Sequence, residues 1–186
     1  MARGHPDQVR LTAFLDHAAA VVEDVPLAAK EGLALRLDVG LPPTVELLKH
    51  HDLDNYLFPL ITRLGPRKFA TAWATKATTS TSAIRVDQAR VVDAIDQAPY
   101  QVRTTRSAET VAWKAEVRDQ LIHAKDLPDG PLELQLSFRV GPNRNWANLW
   151  KPTIDSLDPI LGSDGGRSWN PRDGRIVRLG LHHEVA

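Results

Sequence analysis

Asp52-Leu53-Asp54-Asn55-Tyr56-Leu57-Phe58-Pro59-Leu60-Ile61-Thr62-Arg63-Leu64 and Asn145-Trp146-Ala147-Asn148-Leu149-Trp150-Lys151-Pro152-Thr153-Ile154-Asp155-Ser156-Leu157 read as two versions of one unit. Asn55 and Asn148, Pro59 and Pro152, Ile61 and Ile154, and Leu64 and Leu157 recur in register. Each version places Asn-x-x-x-Pro at the start of a helix. The polar groups are divided between them: the first holds Asp52 and Asp54, the second holds Lys151. A repeat divided this way is either a composite site or a decayed one.

The flanks repeat the same order. Leu33, Leu35, Leu37 and Val39 alternate with Arg36 and Asp38, the period of a half-buried strand, and Leu41-Pro42-Pro43 ends it. After the first motif, Gly65-Pro66 stops the helix and Phe69 to Lys76 reads as a strand. On the far side, Leu132, Leu134, Leu136, Phe138 and Val140 alternate until Gly141-Pro142-Asn143. A helix is expected over Trp146 to Leu161, a loop over Gly162 to Arg167 and a strand over Arg175 to Val185. A helix precedes each set, Asp7 to Val22 and Ser107 to Ala124, the latter capped by Ser107 or Thr110.

Each half is thus helix, strand, polar loop, helix, strand. The offset between halves falls from about 100 residues at the first helix to 93 at the Asn-x-x-x-Pro motif (Asn55 to Asn148). A duplication with loop changes produces such drift; chance similarity of amphipathic elements is the alternative. In the middle, Thr78 to Ser82 is a turn or loose connection. Ile84 to Ile95 suits a helix best, through Val86, Val91, Val92 and Ile95. The expected organisation is residues 1–76, a connection over 77–106, and residues 107–186, packed as one globular unit. The fold class is α+β, with helices on mixed sheets.

The 186 residues are 42% hydrophobic and 25% charged, ordinary globular material with enough apolar surface for a shared core. Lys plus Arg equals Asp plus Glu at 23 each, which argues against binding nucleic acid through net charge alone. Arg139, Arg144, Lys151, Arg167, Arg172, Arg175 and Arg178 nonetheless crowd the C-terminal part, as a local basic patch or a solvated surface. The absence of cysteine excludes disulfides, thiolate metal sites and a cysteine nucleophile, and fits a cytoplasmic setting. No apolar run approaches the roughly 18 residues of a membrane span, and no hydrophobic signal segment follows Met1 to Pro6.

Asp52 and Asp54 are the sharpest pair. Two carboxylates entering a helix can share Mg²⁺ with water and phosphate oxygens, and such a metal activates water at a phosphodiester. His50 and His51 precede them and suit a softer metal or proton transfer. The plainer reading is that Asp54 or Asn55 caps the helix while Asp52 favours its dipole.

Asp-Leu-Asp-Asn leading into an amphipathic helix, after a strand and a proline loop, resembles the RusA type of Holliday junction resolvase. That family's pattern is Asp-x-Asp-Asn-x-x-Lys, an Asp four residues later, and another Asp ahead of the last strand. The resemblance implies a small Mg²⁺-dependent endonuclease of branched DNA. Asp52, Asp54 and Asn55 match in the first half, where Phe58 stands for the lysine and Thr62 for the next Asp. Asn148, Lys151, Asp155 and Asp173 match in the second, where Asn145 and Ala147 stand for the leading acids. Neither half is complete. The resemblance implies Asp52, Asp54, Lys151 and Asp173 as catalytic residues, with Asp52, Asp54 and Asp173 as metal ligands. Arg144, Asn148, Lys151, Arg172 and Arg175 are the expected DNA contacts. In the family each set belongs to one subunit, so a composite site requires the two polar loops to meet. If they stay apart, the chain is a relative that binds without cutting. By itself, Lys151 with Asp155 four residues on reads as a surface ion pair.

Trp146, Trp150 and Trp169, interleaved with Arg144 and Lys151, admit three readings: base stacking, a protein interface, or core packing. His182 and His183 point to opposite faces of a strand, so they do not share a metal. No nucleophile elbow, phosphate loop or dinucleotide glycine pattern is present. Two functions follow: a DNA-junction protein with possible Mg²⁺-dependent cutting, or a non-catalytic module that uses its tryptophans for a protein partner. Neither involves a membrane.

Overall fold

Alternating apolar side chains build the sheet. In a computed structural model, described here for residues 6–23, 32–90, 98–163 and 168–186, β1 (Leu33–Leu41), β2 (Phe69–Thr78), β3 (Ala83–Gln88), β4 (Leu132–Val140) and β5 (Ile176–Val185) form one mixed sheet. Its strand order is β3-β1-β2-β5-β4. The chain is therefore α+β, with one sheet where several were expected. β1 runs parallel to β2, and β4 parallel to β5. β2 and β5 meet antiparallel at the centre, with Ala74 opposite Leu179. Both parallel pairs shift register after their first residue, between Leu33 and Ala34 and between Leu132 and Glu133.

One face of the sheet is the core side. Leu35, Leu37, Ala72, Ala74, Leu179 and Leu181 are buried on it, while Arg36, Glu133 and Arg178 stand exposed on the other face. The helices are α1 (Pro6–Glu23), α2 (Leu53–Leu64), α3 (Val111–Gln120), α4 (Trp150–Ile154) and α5 (Asp158–Leu161). α2 buries Leu53, Leu57, Leu60, Ile61 and Leu64, a stripe at helical spacing. Each such side chain contributes roughly 1.5–3 kcal/mol by leaving water. Gly65, at φ 95°, ends α2, and its N–H donates to the Ile61 carbonyl.

Three expectations are corrected. The helix over Trp146 to Leu161 is broken: a 3₁₀ turn at Trp146–Leu149 leads into α4, and α5 follows separately. Pro152 and Pro159 supply no N–H, so one continuous hydrogen-bond ladder is impossible. The helix over Ser107 to Ala124 is confined to α3, with Thr110 at its N-cap. Ile84 lies in a strand, not a helix: β3 pairs antiparallel with β1 and takes its free edge. Part of the 77–106 connection is thus built into the sheet. The remaining residues of that expected helix, 91–95, lie outside the described residues, as do 164–167 of the loop that includes Arg167.

Candidate functional site

The topology decides which loops meet. α2 starts beyond the C-terminal end of β1, and β2 ends on the same side because it runs parallel. β5 runs the other way, so its lead-in, a 3₁₀ turn over Asp173–Arg175, arrives there too. Lys76 fixes this junction. It lies on the inward face of β2 with Ala72 and Ala74, and is 4% exposed. Its ammonium donates to the carbonyls of His50 (3.0 Å), His51 (3.1 Å) and Gly174 (2.7 Å). A side chain at Gly174 would meet the Lys49 backbone, since a Cβ there lies 2.8 Å from the Lys49 carbonyl carbon.

Asp52 is the N-cap residue of α2, but its side chain makes no bond to a backbone amide. It accepts instead from Asn55 Nδ2 at 3.1 Å. Asp54 lies within the first turn and is 3% exposed. The expected capping by Asp54 or Asn55 is therefore not what these side chains do. Lys151, from α4, places Nζ 3.6 Å from Asp54 Oδ2 and 3.3 Å from Asp155 Oδ1. The pairing with Asp155 is the expected i, i+4 contact; Asp155 is also held by Lys114 at 2.6 Å. His51, at φ 65°, turns the chain into Asp52, and its Nδ1 shares a 2.6 Å hydrogen bond with the Tyr56 hydroxyl.

The charges sense one another. Burial pushes Asp173 up to about 7, and the charges of Asp52 and Asp54 push in the same direction against Lys151. Burial likewise raises Asp54, opposed by Lys151 and reinforced by Asp52 and Asp155. Burial pulls Lys151 down, but Asp54, Asp155 and Asp173 outweigh it and hold the ammonium above its usual value. For Lys76 burial wins, lowering it despite Asp52 and Asp173. Asp52, Asp54, Lys151 and Asp173, divided between the halves in sequence, thus share one electrostatic environment. Among the described residues no group of three or more His, Asp or Glu side chains is arranged to hold a metal ion.

The expected DNA contacts divide. Asn148 is exposed beside Lys151, and Arg144 is exposed with its guanidinium 5.9 Å from the Trp113 ring centroid. Arg172 is paired with Asp129 at 2.7 Å. Arg175 is a correction. It is 3% exposed, and its guanidinium donates to the carbonyls of Gly130, Leu161 and Pro128, so it braces a loop and offers nothing to a phosphate.

Of the three readings of the tryptophans, core packing holds for Trp146 and Trp150. Trp146 and Trp150 are 1% and 0% exposed, core residues with rings edge-to-face at 4.8 Å. Trp169 lies under the Arg118 guanidinium at 5.7 Å. A partner surface made of all three is not available. His182 bonds Thr71 at 2.9 Å, and His183 stacks on Trp146 at 4.7 Å, so they serve different faces as expected.

Lys76 is the residue that sequence reading missed. Its parity with Ala72 and Ala74 was the signal, because a lysine on the inward face of a strand must find buried acceptors. Compared with family models, with curated proteins and with solved structures, the chain matches none. Among the described residues no helix is long and apolar enough to cross a membrane.

Proposed function

We propose that the chain is a fused pseudo-dimer of two RusA-like halves with one composite site, which binds branched or distorted DNA and cuts it with Mg²⁺. The observation that carries this reading is the meeting of Lys151 from the second motif with buried Asp54 from the first, at 3.6 Å. The matching register shifts of the two parallel strand pairs, joined antiparallel at the centre, support the pseudo-dimer.

The donor chemistry suits a hard cation. Mg²⁺ takes one or two carboxylates and completes its shell with water and phosphate oxygens, so the pair Asp52 and Asp54, with Asp173 nearby, suffices without a three-ligand cage. Burial, and then the charges of Asp52 and Asp54, raise Asp173, and a bound cation would offset both. Bound there, Mg²⁺ would activate water and stabilise charge at the phosphodiester. Lys151, held protonated, donates to a phosphate or leaving oxygen. Without a cation, Asp173 keeps its proton until the pH rises through about 7. The Lys76 clamp keeps the loops of Asp52 and Asp173 in register.

Binding without cutting is the second reading, favoured by the lack of a three-carboxylate group among the described residues. A labelled four-way DNA junction, incubated with Mg²⁺ or Mn²⁺ beside an Asp52→Asn/Asp54→Asn variant, separates the two. Metal-dependent cuts lost in the variant support the nuclease. Binding at low salt with no cuts supports the module, and loss of both ends the proposal.

A further inference from the structure

Asn-x-x-x-Pro has a physical consequence that both motifs share. Proline at the fifth position has no N–H, so the asparagine four residues earlier has no helical donor for its carbonyl. Asn55 faces this before Pro59, and Asn148 before Pro152. Both asparagines line the same cavity of about 310 Å³, together with Asp54, Phe58, Trp150 and Lys151. The cavity adjoins the proposed cutting site through Asp54 and Lys151.

Its chemistry is selective. The Asp52 carboxylate can only accept, so the amide nitrogen of Asn55 is committed to it and the Asn55 side-chain oxygen remains an acceptor. Asn148 Oδ1 accepts from Asn145 at 3.3 Å, which leaves the Asn148 amide as a donor. Trp150 backs the cavity, with its indole N–H fully buried and closed to a ligand. Phe58, 37% exposed, supplies a flat apolar wall and sits edge-on to Trp150. Charge disfavours an anion: Asp54 and Glu109 line the cavity against Lys151 alone. A neutral planar ring edged with both donors and acceptors satisfies all of these groups. The volume, at the small end of ligand pockets, admits one ring system and not a duplex.

We infer that this cavity receives a single unpaired nucleobase, stacked on Phe58 and hydrogen-bonded by Asn55 and Asn148. The inference rests on the DNA reading above but is tested without junction binding or cleavage. The probes are the four deoxynucleoside 5′-monophosphates, with 2-deoxyribose 5-phosphate as the base-free control, titrated into ¹⁵N-labelled protein. The readout is the Trp150 indole N–H resonance, assigned by triple-resonance spectra. At least one nucleotide is expected to move that resonance saturably while the control does not. Phe58→Ala and Asn148→Leu, both at exposed positions, should each weaken the effect about tenfold or more, the scale of one lost base stack. No movement with any nucleotide, or equal movement with the control, overturns the inference. Junction binding without cuts, alongside a positive titration, would instead remove only the cutting reading.

Discussion

Two places where the N-terminal and C-terminal parts of the chain meet are built from opposite materials. At one, Asp52, Asp54 and Asp173 gather around Lys151, with Lys76 clamping the backbone beneath. At the other, the Trp146 indole N–H donates to the Pro66 carbonyl at 3.0 Å, and its ring stacks on His183 beside buried Ala147. Both junctions fasten the two parts of the chain, but only the first gathers buried carboxylates close to one another. Carboxylates desolvated next to one another cost free energy, whereas an aromatic stack of the same extent contributes it. The charged junction is therefore the one whose composition demands a reason other than stability.

Placing an acid at the aromatic junction should break this division most sharply. Ala147→Asp introduces a carboxylate at a position 1% exposed, and is expected to cost about 3–5 kcal/mol, read by urea denaturation. Lys76→Met tests the charged junction. It leaves three carbonyls unpartnered and should cost about 3 kcal/mol; an unchanged urea midpoint would show that the clamp is dispensable. Asp173→Asn should act in the opposite direction. The folded value of Asp173 is about 7, above the ordinary value near 3.9. Its contribution is fully present below pH about 3.9 and is lost as pH rises through about 7. The variant should match the parent near pH 4 and exceed it by up to about 4 kcal/mol at pH 8. Thermal melts across that range decide the sign. Equal melting points at both pH values would mean that Asp173 is not under carboxylate repulsion.

The alternation of Leu33 to Val39 and of Leu132 to Val140 was legible because each strand has one dry and one wet face. β3 was not, because Val91, Val92 and Ile95 suggested a helical period while the edge of β1 was what selected a strand; strand formation depends on a partner. The break between α4 and α5 is legible in Pro159, which has no N–H to offer the Asp155 carbonyl. Each member of the site was legible singly. Their convergence was not, because it depends on β2 and β5 pairing antiparallel, a contact between residues as distant in sequence as Thr71 and His182. Arg175 looked like a surface cation because its sequence neighbours are polar; the carbonyls that absorb its guanidinium come from Gly130, Leu161 and Pro128.

The aromatic junction also sets a stoichiometry. A four-way junction is resolved by two incisions on opposing strands, and a chain with acids at only one of its two junctions carries the means for one. On the nuclease reading, each encounter yields a nick. Nicked intermediate should build up before linear product, and the second incision should wait for rebinding or for a second molecule.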